Sequence, residues 1–283
     1  MTTPIPEDFQ YSYSALKDWE VCRRRFLLRH LRRMAYPAQI TGDALTYESH
    51  QARGSAFHHL VYQHHAGIPA ETLALGIQDE QLRGWWERYL AFRPNDLPPA
   101  STAESTLTAP LGSFRLVGTF DLLAVQPGGK AVIVDWKTSP HVPTAEQLAR
   151  NLQTVIYRYL LVTAGSHYNG KQPIDPANVE MIYWYAEAPQ SPIRLPYSAA
   201  QYAADARHLA ELGAQVEAEQ DFPKVDETQR ERVCSYCNYR ALCWGDVRAG
   251  LFADSLFDPE DDAVIPEDAE LLIDLDDIGE IAF

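Results

Sequence analysis

The chain has 283 residues, of which 46% are hydrophobic and 22% charged, and its formal net charge is −15 at pH 7. This length and composition are typical of a soluble globular protein with one large domain or two modest ones. No apolar run approaches the ~20 residues that a membrane span requires. The first ten residues also lack the basic and apolar regions of a secretory signal. We therefore expect a cytoplasmic protein that does not bind membranes.

The acidic excess is concentrated at one end of the chain. Residues 249–283 hold 12 of the 39 Asp and Glu residues and no Lys or Arg, which leaves 27 acids against 24 bases in the remainder. The remainder is therefore nearly neutral, and the net charge does not exclude a nucleic-acid partner. We divide the chain into a domain over residues 1–253 and an acidic tail over residues 254–283 that we expect to be disordered.

The N-terminal part is predicted to be helical. Helices are expected over residues 12–36, 51–66 and 76–93, with a loop over residues 37–50. The first helix carries a run of basic side chains that includes Arg23, Arg24 and Arg25. Such a cluster favours contact with phosphates, although a solvated helix face would have the same composition.

The middle of the chain is predicted to alternate strands with helices. Strands are expected at about residues 102–109, 114–125, 131–138 and 178–187, and helices at about residues 145–164 and 198–218. The tripeptide Pro127-Gly128-Gly129 indicates a turn between the second and third of these strands. This order indicates an α/β fold in which a sheet is flanked by helices.

The hairpin around this turn carries the strongest functional signal. A three-residue loop closed by Gln126 opposite Lys130 would place Asp121 directly opposite Asp135. Facing carboxylates repel each other, and a cation between them would relieve that repulsion. Lys137 lies two residues beyond Asp135 and so shares its face. Two carboxylates and an amine on one face suit metal-assisted hydrolysis of a phosphodiester, whereas an isolated strand-end Asp is more often a turn residue.

The chain has four cysteines: Cys22, Cys234, Cys237 and Cys243. The last three have the spacing C-x2-C-x5-C, which indicates a metal site, and four thiolates would complete either a structural zinc site or an iron–sulfur cluster. Spacing alone does not assign Cys22 as the fourth ligand, because a buried apolar thiol is the alternative. If Cys22 does join, the cluster ties the two ends of the chain together and is structural.

These motifs together resemble a known family. The chain is similar to RecB-type nucleases of the PD-(D/E)XK superfamily, in the iron–sulfur-containing branch that includes the AddB nuclease and the small exonucleases of CRISPR adaptation. The matching motifs, in chain order, are Cys22 with the arginines that follow it, Gly54 to His58 (G-x-x-x-H), Gly118 to Asp121 (G-x-x-D), Asp135 to Lys137 ((D/E)-x-K), Gln153 to Tyr157 (Q-x-x-x-Y), and the C-terminal cysteine trio.

The resemblance implies a restriction-endonuclease-like core, with a central mixed β-sheet, and a cation site. It implies that His58, Asp121 and Asp135 bind Mg²⁺ or Mn²⁺, with Asp121 and Asp135 also counted as catalytic. The backbone carbonyl of Trp136 is expected to complete the ligand set, and Lys137 is implied as the catalytic lysine. Spacing alone does not identify His58, which would otherwise be taken as a helix-surface residue.

The resemblance also implies how the chain binds DNA and its cofactor. Gln153 and Tyr157 are implied to contact a DNA strand near the active site, and the arginine run is a further candidate for DNA binding. Cys22 and the C-terminal trio are implied to hold a split 4Fe-4S cluster, with Zn²⁺ as the alternative. The cluster would join an N-terminal helical part to the C-terminal end of the domain.

We therefore expect a metal-dependent deoxyribonuclease, an exonuclease on single-stranded DNA or free DNA ends, that acts in recombination, repair or CRISPR adaptation. The alternative is a non-catalytic nucleic-acid-binding subunit of a larger nuclease complex, stabilised by zinc or a cluster. A helicase, a CRISPR integration complex or another protein is a candidate partner through the acidic tail. The tail has two other interpretations, a solubilising segment and an autoinhibitory DNA mimic.

Overall fold

A computed structural model of the chain describes residues 5–34, 42–234 and 237–245. The chain divides into two compact units. The larger unit comprises Glu7–Tyr13 and Ala52–Ala218, and the smaller unit comprises the described residues among 1–6, 14–51 and 219–283. The predicted boundary at residue 253 and the acidic tail lie outside the described residues. In the part that is described, no helix is long and apolar enough to cross a membrane.

The larger unit is built on a mixed sheet of six strands. The strands are β1 (Gln10–Tyr11), β2 (Ser101–Leu111), β3 (Phe114–Val125), β4 (Ala131–Lys137), β5 (Val179–Tyr185) and β6 (Ile193–Pro196). They follow the order β1-β3-β4-β5-β6, and β2 also pairs with β3. The β1–β3 and β4–β5 pairs are parallel and the other pairs antiparallel. The predicted α/β fold with a central mixed sheet is therefore confirmed.

Ten α-helices are found in the described residues. They are α1 (Tyr13–Val21), α2 (Arg23–Phe26), α3 (Gly42–His65), α4 (Ala70–Leu75), α5 (Glu80–Phe92), α6 (Ala145–Arg150), α7 (Leu152–Ala164), α8 (Ala199–Ala218), α9 (Arg230–Cys234) and α10 (Arg240–Trp244). A five-residue π-helical segment, Leu27–Leu31, continues directly from α2.

Helices cover both faces of the sheet, as expected. On one face, Phe57 of α3 and Trp85 of α5 pack with a cluster that includes Leu122 of β3 and Trp184 of β5. The Phe57 and Trp184 rings stack with their centroids 6.0 Å apart. Helix α7 packs against the other face, where the Thr154 hydroxyl lies 2.7 Å from the Tyr183 hydroxyl. Burial of both faces explains why every residue of β4 is buried.

Several predicted helix boundaries are wrong. The predicted helix over residues 12–36 is broken at Cys22, whose backbone is extended (φ −159°, ψ 108°). The helix predicted from residue 145 is interrupted at Asn151, where the side chain instead caps α7 by accepting a hydrogen bond from the Gln153 N–H. The predicted loop over residues 37–50 is wrong from Gly42 onward, because α3 begins there. The helix predicted over residues 76–93 is α5 alone, which Asp79 caps.

Candidate active site

The β3–β4 hairpin has the register that its turn predicts. The Gln126 N–H donates to the Lys130 carbonyl at 2.9 Å, and Val125 pairs with Ala131. The pairing ends at Leu122 opposite Val134, and Asp121 and Asp135 are the next residues of the two strands. The hairpin therefore brings two carboxylates close together on neighbouring strands, beside buried apolar residues such as Leu122 and Val134.

Asp121 is held between α3 and β4. Its Oδ1 lies 3.3 Å from His58 Nδ1, and its Oδ2 accepts a hydrogen bond from the Trp136 N–H at 2.8 Å. Gly54, one turn before His58, lets α3 approach β4, because a Cβ there would lie 3.2 Å from Thr138 Oγ1. The G-x-x-x-H motif thus combines a close helix contact with an imidazole directed at Asp121.

Asp135 lies between a lysine and an amide. Its Oδ2 is 3.1 Å from Lys137 Nζ, and its Oδ1 accepts a hydrogen bond from Gln153 Nε2 at 3.1 Å. Asp135 is only 3% exposed and Lys137 only 8%. Burying such a pair costs desolvation free energy that an apolar pair would not cost, so its presence in the core indicates a role other than stability.

Tyr157 lies one helical turn after Gln153 on α7 and is 9% exposed. Burial and the nearby charge of Asp135 raise its pKa well above the ordinary tyrosine value, while a hydrogen bond with Gln153 lowers it. Its ring lies 4.7 Å from the Phe120 ring, and Gly118 makes the approach possible, because a Cβ there would lie 3.1 Å from the Tyr157 ring. The G-x-x-D and Q-x-x-x-Y motifs are therefore in direct contact.

The side chain of Trp136 points away from these carboxylates, into the aromatic core beneath α3 and α5. Its ring lies 5.3 Å from the Tyr89 ring and 5.8 Å from the Trp184 ring. Only the backbone of Trp136 is therefore available to the site, and its N–H is already seen to bond Asp121.

This geometry agrees with a family comparison. A model of the PD-(D/E)XK nuclease superfamily matches residues 10–244, which is most of the chain and includes every motif described above. This chain belongs to the PD-(D/E)XK nuclease superfamily. Its carboxylate pair and buried lysine therefore form the candidate active site of a nuclease.

Solved structures at low sequence identity are also similar to this nuclease. The protein named "Putative exonuclease" from Eubacterium rectale is 10% identical, with a TM-score of 0.47, over 80% of this chain and 88% of that one. The protein SSO0001 is 15% identical, with a TM-score of 0.39, over 86% of this chain and 90% of that one. No curated protein sequence matches the chain.

The donors at the site suit a hard divalent cation. Two carboxylates and one imidazole are a ligand set that Mg²⁺ and Mn²⁺ accept. Within the described residues, however, no group of three or more His, Cys, Asp or Glu side chains has converged as a cation site. The oxygens of Asp121 and Asp135 are instead engaged by His58, Lys137 and Gln153 and by a backbone N–H. Cation binding by this nuclease would exchange some of these partners for the ion.

The arginine run lies in the smaller unit. Some of its side chains form ion pairs with the Asp18 carboxylate. Arg25 Nε is 2.6 Å from Asp18, and Arg29 and His30 lie 3.2 Å and 2.8 Å from the same carboxylate. Burial raises the pKa of Asp18, but the His30 hydrogen bond and the two arginines outweigh it and hold the pKa at about 2. The guanidinium of Arg23 lies 4.1 Å from the centre of the Trp19 ring.

The four cysteines are free thiols of the smaller unit. Cys22 and Cys234 pack in one buried cluster, with Cys237 partly buried against it. Burial is the main cause that raises the pKa of Cys237 to about 11, and the charges of Cys234 and Cys22 act in the same direction. Burial also raises the pKa of Cys243, again with contributions from Cys22 and Cys234. Cys237 and Cys243 thus each lie within electrostatic range of Cys22 and Cys234, and the role of the four thiols as ligands stays a prediction.

One further acidic residue, Glu104 of β2, lies beside the site, and the sequence reasoning missed it. The register of β2 and β3 runs from Leu111 opposite Phe114 to Ser101 opposite Ala124, with Glu104 and Asp121 at the opposite positions where the ladder is interrupted. The signal was available in the sequence, because counting outward from the Gly112-Ser113 turn gives the same pair.

Proposed function

We propose that this nuclease hydrolyses DNA with Mg²⁺ or Mn²⁺, and that Asp121, Asp135 and His58 hold one or two of these ions, assisted by the Trp136 carbonyl. The observation that carries the proposal is that Asp121 and Asp135 directly follow the last pair of the β3–β4 register, Leu122 with Val134, and that Asp121 Oδ2 accepts a hydrogen bond from the Trp136 N–H, next to Asp135. This supports the proposal, because two carboxylates at neighbouring positions repel each other unless a cation lies between them, and a buried lysine is adjacent. A domain that only binds nucleic acid has no need of this costly arrangement.

The bound cation would lower the pKa of a water molecule and neutralise charge on the scissile phosphate. Lys137 would then act on the attacking water or on the scissile phosphate. Its ammonium group is fixed 3.1 Å from Asp135 Oδ2, in a buried position where charge interactions are strong. From there it orients the attacking water or stabilises the negative charge that develops on the phosphate.

Gln153 and His58 position the two carboxylates. The Gln153 amide fixes one oxygen of Asp135, and His58 lies against one oxygen of Asp121, so each carboxylate keeps a defined orientation. Contact of Gln153 and Tyr157 with a DNA strand is part of the proposal. Tyr157 has low exposure, which favours a position beneath the DNA strand. From that position Tyr157 would hold Gln153 in place.

The proposal includes a 4Fe-4S cluster bound by Cys22, Cys234, Cys237 and Cys243, with Zn²⁺ as the alternative occupant. Its support is that Cys22 packs with Cys234 and Cys237, although Cys22 is more than 200 residues away in sequence, and that the charges of Cys22 and Cys234 act on the Cys243 thiol. Thiolate ligands are deprotonated, and a bound metal would lower the pKa values that burial raises. The cluster is structural in this proposal, because it joins segments of the smaller unit.

The biological setting is proposed from the resemblance to RecB-type nucleases. We place this nuclease on single-stranded DNA or free DNA ends, as an exonuclease in recombination, repair or CRISPR adaptation. A helicase or an integration complex is the proposed partner, with the acidic tail as its docking segment. The domain that acts on DNA extends through residue 253.

The test is cleavage of end-labelled single-stranded DNA by anaerobically purified protein with Mg²⁺, Mn²⁺ or EDTA. Lys137→Ala is compared with Lys130→Ala, a lysine of the same hairpin that pairs with Glu180 at 2.7 Å, near the turn. We expect metal-dependent cleavage that Lys137→Ala abolishes and Lys130→Ala retains, and the label position gives the polarity. DNA binding without cleavage under every metal would contradict the proposal and favour the non-catalytic binding subunit.

A further inference from the structure

Glu104 occupies a defined place in the register of β2 and β3. Ala103 pairs with Leu122 and Ser105 pairs with Phe120, so Glu104 and Asp121 occupy the opposite positions between these two pairs, without being paired in the ladder themselves. A hydrogen bond between the side chains of Thr106 and Thr119, 3.0 Å long, supports the same register two residues away. In a regular antiparallel pair, opposite residues have Cβ atoms about 5 Å apart. At this interrupted position, the charge of Asp121 still acts on the Glu104 carboxyl group, which is consistent with their neighbouring places on the two strands.

The backbone is distorted at this position. Glu104 has a left-handed φ of 50°, which an L-residue with a long side chain adopts at an energetic cost. On β3, Leu122 packs into the core beneath α3 and α5, while Phe120 contacts Tyr157 of α7 on the opposite face. Residues two apart on a regular strand share a face, so the alternation is interrupted at Asp121 and Glu104. Such interruptions redirect side chains and are common beside active sites.

The electrostatics agree with this placement. Glu104 as a whole is exposed, but its carboxyl group is partly desolvated, and this raises the pKa of Glu104. The charge of Asp121 raises the pKa further, and His58 lowers it. Asp121 and His58, whose charges shift the pKa of Glu104, are thus two of the three side chains proposed to hold the cation.

We propose that the Glu104 carboxylate is a further ligand of the cation that Asp121 and His58 hold in this nuclease. Three carboxylates would then form a row across three adjacent strands, with Glu104 on β2, Asp121 on β3 and Asp135 on β4. Like charges at neighbouring positions repel, and a divalent cation removes that repulsion on both sides of Asp121. This inference rests on the proposed cation-dependent function.

The test measures Mn²⁺ binding to the full-length protein directly, by the electron paramagnetic resonance signal of free Mn²⁺, without DNA. We expect Glu104→Gln to weaken Mn²⁺ binding by at least about tenfold, the lower end for groups that support a metal site. Glu211→Gln is the matched control, because Glu211 is an exposed residue of α8. Asp121→Asn is the positive control and should lose binding as well.

The outcomes separate this inference from the proposed function. If the wild type binds no Mn²⁺, the proposed cation site itself fails, and the role of Glu104 fails with it. If Asp121→Asn loses Mn²⁺ while Glu104→Gln binds as the wild type does, only the role of Glu104 is overturned.

A second variant covers the case in which Glu104→Gln does not fold. Glycine accepts a left-handed φ without steric cost, so Glu104→Gly should unfold at the wild-type temperature or above it. We expect it to show the same loss of Mn²⁺ affinity as Glu104→Gln. Wild-type affinity in Glu104→Gly would overturn the inference.

Discussion

Gly118 tests whether the contact between β3 and α7 supports the active site. In Gly118→Ala, the new Cβ would lie 2.9 Å from Leu160 Cδ1 and 3.1 Å from the Tyr157 ring. Favourable contacts between carbon atoms require about 3.5–4.0 Å, so helix α7 must move outward by several tenths of an ångström. Because α7 carries Gln153, this movement would also loosen the hydrogen bond to Asp135.

The expected change in the free energy of unfolding of Gly118→Ala follows from two opposing effects. Overpacking a core costs about 1–3 kcal/mol, and replacing a strand glycine by alanine returns about 0.5–1 kcal/mol. The free energy of unfolding should therefore fall by about 1–2 kcal/mol, which lowers the melting temperature by about 2–8 °C in a domain of this size. Cleavage of DNA should slow even at temperatures where the variant is fully folded.

The assay is thermal unfolding followed by circular dichroism, together with cleavage of labelled DNA. Gly84→Ala is the matched control, because its added Cβ would meet no atom within 4 Å apart from the adjoining backbone of its own helix, α5. That control should gain up to about 1 kcal/mol from the higher helix propensity of alanine. A Gly118→Ala variant as stable and as active as the wild type would refute the reasoning.

Three further variants test other parts of the structure. The pKa of Asp18 is depressed from 3.8 to about 2, so its stabilisation is present above pH 4 and is lost as the pH falls from about 4 to about 2. Asp18→Asn should remove roughly 2 kcal/mol of stability at pH 7 and flatten acid unfolding in that window; an unchanged acid profile would contradict this. Gln153→Ala should lower kcat by a larger factor than it weakens DNA binding in EDTA, because it loses the hydrogen bond to Asp135 as well as its contact with DNA, and an unchanged kcat would exclude a positioning role. Cys234→Ser should lower the melting temperature and weaken DNA binding, and a fully stable, active variant would contradict a structural cluster.

The register of the β3–β4 hairpin was predictable because the length of a turn fixes which residues pair across it. Pro127-Gly128-Gly129 is a loop of three residues, and counting outward from Gln126 and Lys130 aligns Asp121 with Asp135. The same reasoning at the Gly112-Ser113 turn would have found Glu104. Glu104 lies inside the predicted strand over residues 102–109, but its left-handed φ of 50° has no signal in the sequence, because a strand interior is expected to keep an extended backbone.

Contacts between distant segments could not be predicted from local patterns. His58 lies among several histidines of one helix, and only tertiary packing shows that it approaches Asp121. The basic run resembles an exposed phosphate-binding face, yet Arg25 is bound to Asp18, seven residues earlier. The break at Cys22 also lacks a sequence signal, because no Gly or Pro accompanies its extended backbone.

The central claim is that Asp121 and Asp135 bind the cation on which hydrolysis of DNA depends. The most direct measurement compares cleavage of end-labelled single-stranded DNA in Mn²⁺ by wild type, Asp135→Asn and Asp8→Asn, with DNA binding measured separately in EDTA. Asp8 is an exposed control for the loss of one carboxylate. We predict that Asp135→Asn abolishes cleavage but still binds DNA, whereas Asp8→Asn cleaves normally. Cleavage by Asp135→Asn at the wild-type rate would contradict the assignment of the active site.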